Sequence, residues 1–182
     1  STEDAREWTA SAAGDLGTKG RELSDKLKGV SIFLIGMMGS GKTSAGELFA
    51  KSLGSYSFID TDDLIEKLTG VTIAEIFETE GEAEFRKVET MVMDSVKAYI
   101  RTVVSTGGGA AMDKANWAAF QSGVVVYLDV PAEVLAARLD KSAEEVASRP
   151  MLADGEEEQN TLEKVSKLLG ERRGKDEQTD GG

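Results

Sequence analysis

The chain has 182 residues, of which 40% are hydrophobic, and this size and composition suit one α/β domain with a sizeable core. Its 33 acidic and 21 basic residues give a net charge of −12, which works against any general attraction to nucleic acid or anionic lipid. The absence of Cys and His excludes thiol and imidazole catalysis, disulfides and the usual zinc sites. No apolar stretch approaches the roughly 20 residues of a membrane span, so we expect a soluble protein without a membrane or nucleic-acid partner.

The N-terminal part of the chain is predicted to be a flexible arm followed by a strand and a helix. Residues 1–28 are polar and mostly lack periodicity, which is typical of a flexible arm. The apolar run Val30–Ile35 then predicts a buried strand, and the pattern of Lys42–Leu53 predicts a helix. Between these two elements, residues 36–43 match the phosphate-binding pattern G-x-x-x-x-G-K-[ST].

This loop predicts a nucleoside triphosphate site. Its glycines let successive backbone N–H groups point at phosphate oxygens, and the helix that follows adds the positive end of its dipole. Lys42 is expected to reach the β- and γ-phosphates, and the Thr43 hydroxyl is expected to bind Mg²⁺. A chance match is disfavoured because a strand precedes the loop and a helix follows it. The residues expected to contact the nucleotide here are Gly39, Ser40, Gly41, Lys42, Thr43 and Ser44.

A second strand, predicted at Tyr56–Ile59, is followed by two aspartates, Asp60 and Asp62. Phosphoryl transfer to a hydroxyl requires a carboxylate that orients the hydroxyl and accepts its proton, and Mg²⁺ favours water-mediated carboxylate support. The alternative is an N-cap for the helix predicted at Asp63–Leu68, which explains one aspartate but not both. From this motif alone, function and capping are equally supported.

The helix predicted at Glu82–Ile100, after a shorter one at Ile73–Phe77, carries Glu82, Arg86 and Glu89 within two turns. Arg86 can offer a planar guanidinium to a carboxylate ligand. An arginine between glutamates is ordinarily part of a solvated salt-bridge ladder, and this alternative stays open.

Three consecutive glycines, Gly107–Gly109, follow the strand predicted at Thr102–Ser105. They cost conformational entropy unless a ligand or another backbone comes close, whereas a simple turn needs one or two glycines. The remaining predicted elements are a strand at Val124–Val130 and helices at Lys114–Gln121, Ala132–Leu139 and Thr161–Arg172. The alternation of strands and helices predicts a parallel sheet covered on both faces, with a ligand site at the carboxyl ends of its strands.

Five motifs, in this order along the chain, resemble those of shikimate kinase. They are Gly36–Thr43, Phe58–Asp62, Phe77 with Gly81–Glu89, Ser105–Gly109 and Ser148–Leu152, and the resemblance covers about residues 29–173. It implies an α/β fold of the P-loop NTPase class, nucleoside monophosphate kinase-like, with a three-layer arrangement, a central parallel sheet and a lid at about residues 140–158. It also implies that ATP, with Mg²⁺, phosphorylates the 3-hydroxyl of shikimate in aromatic amino acid biosynthesis.

The resemblance implies roles for the acceptor-side residues. Asp62 resembles the residue that binds the shikimate hydroxyls and acts as base, and Asp60 resembles the one that supports Mg²⁺ through water. Arg86 resembles the residue that meets the substrate carboxylate, and Gly108, between Gly107 and Gly109, resembles its partner in shikimate binding.

The resemblance also implies roles near the nucleotide and at the end of the domain. Arg149 resembles the lid arginine that closes on the phosphates, so that Asp62, Lys42 and Arg149 form the expected catalytic set. Arg138 resembles an arginine near the adenine, and Arg173 is the better match to the second shikimate-binding arginine.

The C-terminal segment departs from the family's pattern. Family members continue with a tyrosine, an adenine-contacting loop, a further strand and a last helix, whereas residues 174–182 are composed like a disordered tail. Without that strand and helix, part of the apolar sheet would be exposed. Two functions are therefore weighed, an active shikimate kinase and an inactive shikimate kinase-like binding or regulatory protein. On physical grounds alone, another hydroxylated acid such as gluconate also fits the predicted acceptor pocket.

The sequence gives weaker indications of location. Three segments resemble those of plastid forms from plants and algae: the N-terminal arm, the sequence of Met37–Thr43 and the pair Asn116-Trp117. We expect a chloroplast location, with cytoplasm as the alternative. The oligomeric state is not predicted.

Overall fold

A computed structural model describes residues 2–141 and 161–176, with side chains described within 15–141 and 161–170 except at position 164. The helices are α1 (Thr2–Leu27), α2 (Lys42–Leu53), α3 (Thr61–Thr69), α4 (Ile73–Thr79), α5 (Glu82–Val96), α6 (Trp117–Phe120), α7 (Ala132–Lys141) and α8 (Thr161–Asp176). The strands are β1 (Ile32–Gly36), β2 (Ser57–Asp60), β3 (Thr102–Ser105) and β4 (Val124–Leu128). Single 3₁₀ turns lie at Ala110–Met112 and Lys114–Asn116. Within the described ranges, no helix combines the length and the apolar character that crossing a bilayer requires.

The four strands form one parallel sheet in the order β2-β3-β1-β4. In the central strand, Ile32 pairs with Val103 of β3 and with Val124 of β4. The predicted parallel sheet is confirmed. Because parallel strands end at the same edge, the segments that follow β1, β2 and β3 are brought side by side there, and these segments carry the predicted site motifs.

Helices cover both faces of the sheet because successive residues of a strand point to opposite faces. On one face, Phe33 and Val104 pack with α3 and α5 in a buried cluster that includes Ile65, Met93 and Val96. On the other face, the buried cluster consists of Ile32, Leu34, Ala50, Leu53, Tyr56 and Val103, with α2 contributing its apolar side. The apolar β1 and β3 are therefore central strands of a doubly covered sheet.

Several element boundaries differ from the prediction, three of them with a clear structural reason. Helix α5 ends at Val96 and not at Ile100, because the amides of Ala98 and Tyr99 bond three residues back, and Arg101 then adopts a φ of 53°. The helix predicted at Lys114–Gln121 is a 3₁₀ turn followed by the short α6. Strand β4 ends at Leu128, where its pairing with β1 ends.

The prediction of a flexible arm at residues 1–28 is wrong for Thr2–Leu27, which form α1. This helix packs on α2 through Gly20, where a Cβ atom would lie 2.1 Å from the carbonyl oxygen of Ser52. The hydroxyls of Ser24 and Ser55 are 2.9 Å apart, and Leu27 packs against the cluster that contains Ile32. The sequence pattern of α1 does not predict a packed helix, because a glycine, and not a large apolar residue, makes its closest contact.

The C-terminal predictions have mixed outcomes. Helix α8 confirms the helix predicted at Thr161–Arg172 and continues to Asp176, so the predicted tail at 174–182 is wrong for its first three residues. Residues 177–182 lie outside the described part of the chain, and so does the predicted lid apart from Asp140 and Lys141. The buried Leu135, Leu139 and Val165 join α7 and α8 beside Met37 and Met38 of the phosphate loop.

Strand β4 forms an exposed edge of the sheet. Val124, Val125, Val126 and Tyr127 are 42%, 41%, 37% and 53% exposed, whereas every residue of β3 is buried. These consecutive residues point alternately to the two faces, so β4 is open on both faces as the structure describes them. A strand of a parallel sheet is normally covered on both sides, and β4 departs from this rule.

Candidate active site

One cavity of about 690 Å³ lies at the carboxyl ends of the strands. It is lined by the phosphate loop from Gly39 to Ala45, by Asp60 and Asp62, by the start of the glycine loop, and by α7. The lining residues outside the phosphate loop are Asp60, Asp62, Ser105, Thr106, Gly108, Arg138 and Lys141. The structure thus brings together all six predicted phosphate-loop residues and both aspartates, which are separated in sequence.

The phosphate loop adopts a backbone that its glycines make possible. Gly39 and Gly41 have φ values of 74° and 91°, a region that strains residues with a Cβ. Gly41 is the N-cap of α2, so the amides at the start of that helix open toward the cavity. The loop is therefore a nest of backbone donors at the positive end of a helix dipole, which suits an anion.

Lys42 lies inside this loop and is only 7% exposed. Its Nζ donates hydrogen bonds to the carbonyl oxygens of Gly36 at 2.9 Å and Met37 at 3.0 Å. The ammonium group is thus held at the centre of the loop by the loop's own backbone. A cation in this position can meet a phosphate that the surrounding amides bind.

Asp60 makes two side-chain hydrogen bonds, and the first of them shows which of the two aspartates caps α3. Its Oδ1 accepts a hydrogen bond from the amide of Asp62 at 3.0 Å, so it caps α3. Its Oδ2 accepts a hydrogen bond from the Thr43 hydroxyl at 2.8 Å, which joins it to the phosphate loop. Capping therefore uses Asp60 and leaves the Asp62 side chain to line the cavity from the first turn of α3.

Arg86 is the centre of an ion-pair network on α5. Its Nη1 donates to Glu89 Oε2 at 2.8 Å, and its Nη2 donates to Glu82 Oε1 at 3.0 Å. The Glu82 side chain is 59% exposed, but the Glu89 side chain is only 1% exposed. The alternative of a solvated ladder is therefore wrong for Glu89, which holds Arg86 from the protein interior.

Each glycine of the triple-glycine loop makes room for a different neighbour. A Cβ on Gly107 would lie 2.8 Å from both Asp62 Oδ1 and Glu89 Oε1. A Cβ on Gly108 would lie 3.2 Å from the amide nitrogen of Met38, and one on Gly109 would lie 2.8 Å from both terminal nitrogens of Arg86. The predicted close approach of another backbone is confirmed at Gly108, whereas side chains approach Gly107 and Gly109, so the loop connects the aspartate, the arginine and the phosphate loop.

Sequence reasoning missed the buried position of Glu89. This residue shares the buried side of α5 with Phe85, Val92, Met93 and Val96. That spacing is the helical period of an apolar stripe, and a carboxylate within such a stripe is the signal that could have revealed it. Burial raises the pKa of the Glu89 carboxyl, Asp113 and Glu82 raise it further, and Arg86 opposes the shift. Its Oε1 has no hydrogen-bond partner among the described residues.

We expect Glu89→Gln to change how stability depends on pH. A raised pKa means that Glu89 stabilises the fold below its unfolded pKa of about 4.3, and that this contribution is lost as pH rises through the folded pKa. Glutamine does not titrate, so the variant's free energy of unfolding should rise relative to wild type as pH increases from about 4.3 through the neutral range. Urea unfolding of both proteins across this range measures the difference, in which the other titrating groups cancel. A difference that is flat or that falls with pH contradicts the assignment.

Three predicted arginines have different outcomes. Arg138 lines the cavity, and its Nη1 donates to the carbonyl oxygen of Gly39 at 3.0 Å, so it lies over the phosphate loop. Arg149 lies outside the described residues. Arg173 belongs to α8, but its side chain is outside the described part of the structure. The roles of all three stay predictions.

Comparison with known proteins identifies the family. The family model described as shikimate kinase matches residues 38–174. A shikimate kinase from Gloeobacter violaceus is 49% identical over 146 residues, which cover 80% of this chain and 78% of that protein. A chloroplastic shikimate kinase from Solanum lycopersicum is 44% identical over 157 residues, which cover 85% of this chain and 51% of that protein. This chain therefore spans about half the length of the tomato protein.

The solved structures agree with this result. The structure of shikimate kinase from Acinetobacter baumannii in complex with shikimate has a TM-score of 0.73 and 38% identity, and the match covers 82% of this chain and 80% of that one. A shikimate kinase from Aquifex aeolicus has a TM-score of 0.56 and 31% identity, with coverage of 80% and 97%. The expected P-loop NTPase fold is confirmed by this likeness. The chain belongs to the shikimate kinase family.

Proposed function

We propose that this protein transfers the γ-phosphoryl group of ATP to the 3-hydroxyl of shikimate, giving shikimate 3-phosphate and ADP. The observation that carries the proposal is the single cavity that joins a phosphate loop, through Lys42 and Thr43, to the Asp62 carboxylate. Arg86 does not line this cavity but lies next to it across the glycine loop, since a Cβ on Gly109 would lie 2.8 Å from both its terminal nitrogens and a Cβ on Gly107 would lie 2.8 Å from Asp62 Oδ1. The site thus has a donor side that suits a triphosphate and an acceptor side that suits a hydroxylated carboxylic acid.

The chemistry on the acceptor side is assigned to Asp62. The oxygen of the shikimate hydroxyl forms a bond to the γ-phosphorus, the bond from that phosphorus to the β-bridging oxygen breaks, and ADP leaves. The proton of the hydroxyl goes to the Asp62 carboxylate, which lines the cavity beside the phosphate loop. Lys42 stabilises the negative charge that spreads over the transferred group, and Arg149 is proposed to do so from the lid.

Arg86 is proposed to bind the substrate carboxylate. A guanidinium forms planar, paired hydrogen bonds with a carboxylate, and Glu82 and Glu89 hold this one in place on α5. Gly109 lies against it, and the loop has no side chains that would fill the pocket. The amides of Gly108 and Gly109 are proposed as donors to the carboxylate, since that of Gly107 donates to the Thr61 hydroxyl. Arg173 is proposed as the second arginine for the same carboxylate, and Arg138 as a contact near the adenine.

Thr43 and Asp60 are proposed to support Mg²⁺. Their side-chain oxygens are 2.8 Å apart, and oxygen is the ligand that Mg²⁺ prefers. Among the described residues, no group of three or more acidic, His or Cys side chains could hold a metal alone. This donor set fits an ion that keeps several waters and binds mainly through the nucleotide phosphates. Bound there, Mg²⁺ would neutralise phosphate charge.

A coupled ADP-release assay, run with and without shikimate, tests the proposed function. We expect ADP release that requires shikimate, with gluconate as a hydroxylated acid that does not replace it. Calorimetry with shikimate, run beside the assay, separates the inactive alternative, because binding without turnover would support a binding or regulatory protein. Turnover with gluconate and not with shikimate would show that the acceptor is assigned wrongly.

Arg86→Lys should raise the KM for shikimate by about ten- to a hundredfold, with little change in the KM for ATP. A lysine keeps the charge but cannot reproduce the paired geometry of a guanidinium, and it cannot hold both Glu82 and Glu89 as Arg86 does. Steady-state kinetics with each substrate varied in turn measures the two constants. The control is Arg21→Lys, the same exchange at an exposed position of α1 that does not line the cavity. A shift in the ATP constant instead would place Arg86 on the wrong side of the site.

We also propose that the protein acts in plastids. The support is the similarity to the chloroplastic enzyme of tomato, whose own length extends well beyond the matched part. Immunodetection in isolated plastids and in the cytosolic fraction of the source organism tests this, and recovery in the cytosol alone would contradict it.

A further inference from the structure

The segment after the glycine loop is held by two side chains that the proposed reaction does not use. Asn116 is only 1% exposed, and its Nδ2 donates to the carbonyl oxygen of Ala110 at 2.9 Å. Trp117 lies beside it at the start of α6, and its Nε1 donates to the carbonyl oxygen of Ala111 at 3.2 Å. Two neighbouring side chains thus donate hydrogen bonds to two consecutive carbonyl groups.

Those carbonyl groups belong to a 3₁₀ turn that begins where the glycine loop ends. The amide of Ala110 donates to the carbonyl oxygen of Gly107 at 3.1 Å, and the amide of Met112 donates to that of Gly109 at 2.9 Å. Turns of this kind have poorer hydrogen-bond geometry than an α-helix and are short, so they depend on contacts from outside. Asn116 and Trp117 supply such contacts.

The position of this turn sets the position of the substrate-binding side of the loop. Gly109 lies so close to Arg86 that a Cβ would be 2.8 Å from both terminal nitrogens. The other end of the loop is fixed separately, because the amide of Gly107 donates to the Thr61 hydroxyl at 3.1 Å. A loop anchored at both ends keeps its amides and Arg86 in one arrangement, and releasing one end leaves room for movement.

We propose that Asn116, assisted by Trp117, is a positioning residue that fixes the glycine loop against Arg86. It does not touch the reacting atoms. Its kinetic consequence rests on the proposed function, since it acts on the binding of shikimate and not on that of ATP. The phosphate loop is held by other contacts, such as the hydrogen bonds of Lys42 to Gly36 and Met37.

The kinetic test compares Asn116→Ala with Ser122→Ala. Ser122 lies just after α6, and its hydroxyl donates to the carbonyl oxygen of Ala119 at 2.6 Å, so this control also loses one bond from a side chain to the backbone. We expect Asn116→Ala to raise the KM for shikimate on the order of tenfold while the KM for ATP stays within about twofold. Ser122→Ala should leave both constants unchanged. An equal change of the two constants, or the same result in both variants, overturns the proposal.

A second measurement is independent of activity. Amide hydrogen exchange of the substrate-free proteins should be faster at residues 107–112 in Asn116→Ala than in Ser122→Ala or wild type, with α2 unaffected. If wild type does not phosphorylate shikimate, the proposed function fails, and the exchange data still decide whether Asn116 fixes the loop. Unchanged exchange at 107–112 overturns the positioning role.

Trp117→Phe covers the case in which Asn116→Ala does not fold. Trp117 is 49% exposed, so this variant should fold, and it keeps the ring while removing the N–H that binds Ala111. We expect a rise of about two- to threefold in the KM for shikimate, with faster exchange at residues 107–112. No change in either quantity overturns the proposal in that case.

Discussion

Lys42→Met should abolish turnover and leave the fold intact. Lys42 is nearly buried, and methionine has a similar length but no charge, so the packing is kept while the ammonium is lost. The charge that builds up on the transferred phosphoryl group then has no cation at the centre of the loop, and kcat should fall by about 10³ or more. Loss of the hydrogen bonds to Gly36 and Met37 should lower the free energy of unfolding by no more than about 3 kcal/mol.

The control for this variant is Lys51→Met, the same exchange at an exposed position of the same helix. ADP release measures turnover, and circular dichroism with urea unfolding checks the fold. If Lys42→Met turned over as fast as Lys51→Met, the assignment of the phosphate loop as the catalytic donor site would have to be abandoned.

Asp62→Asn should lower kcat by about 10² to 10⁴ and barely change ATP binding. Asparagine keeps the size of the side chain and its reach to a hydroxyl, but it carries no negative charge and cannot accept the hydroxyl proton. The backbone amide that bonds Asp60 is unchanged, so the cap of α3 is preserved. Single-turnover kinetics and calorimetry with an ATP analogue measure the two quantities.

Asp63→Asn is the matched control, because Asp63 follows directly in the first turn of α3 and does not line the active-site cavity. Wild-type turnover is the precondition of the comparison. A wild type that binds shikimate without releasing ADP would support the regulatory alternative. Full activity of Asp62→Asn would mean that another group accepts the proton.

The sequence predicts well those features whose residues are close neighbours along the chain. The strands show as apolar runs, and the phosphate loop shows as glycines at fixed spacing beside Lys42 and Thr43. Their convergence follows from topology, since parallel strands end at one edge of the sheet. The cavity was therefore predictable as a place, together with most of the residues that line it.

The features that the sequence does not reveal depend on which groups meet across the fold. The sequence does not predict helix α1, because its contact with α2 is made by Gly20, which adds nothing to an apolar pattern. The sequence leaves open whether Glu89 belongs to a solvated ladder, and only the packing of α5 shows that it is buried beside Arg86. Asn116 gives no local sign that it reaches back to Ala110, because that bond depends on the path of two 3₁₀ turns.

The exposed strand β4 has a consequence for the protein in solution. Among the described residues, no strand pairs with its outer edge, so its valines and tyrosine present unpaired backbone groups and apolar side chains together, which is the arrangement through which sheets adhere edge to edge. The net charge of −12 opposes such adhesion by mutual repulsion between molecules. Salt weakens that repulsion without weakening the apolar attraction. We therefore expect the protein to stay dispersed at low protein concentration in low-salt buffer and to associate more readily at high protein concentration in high salt.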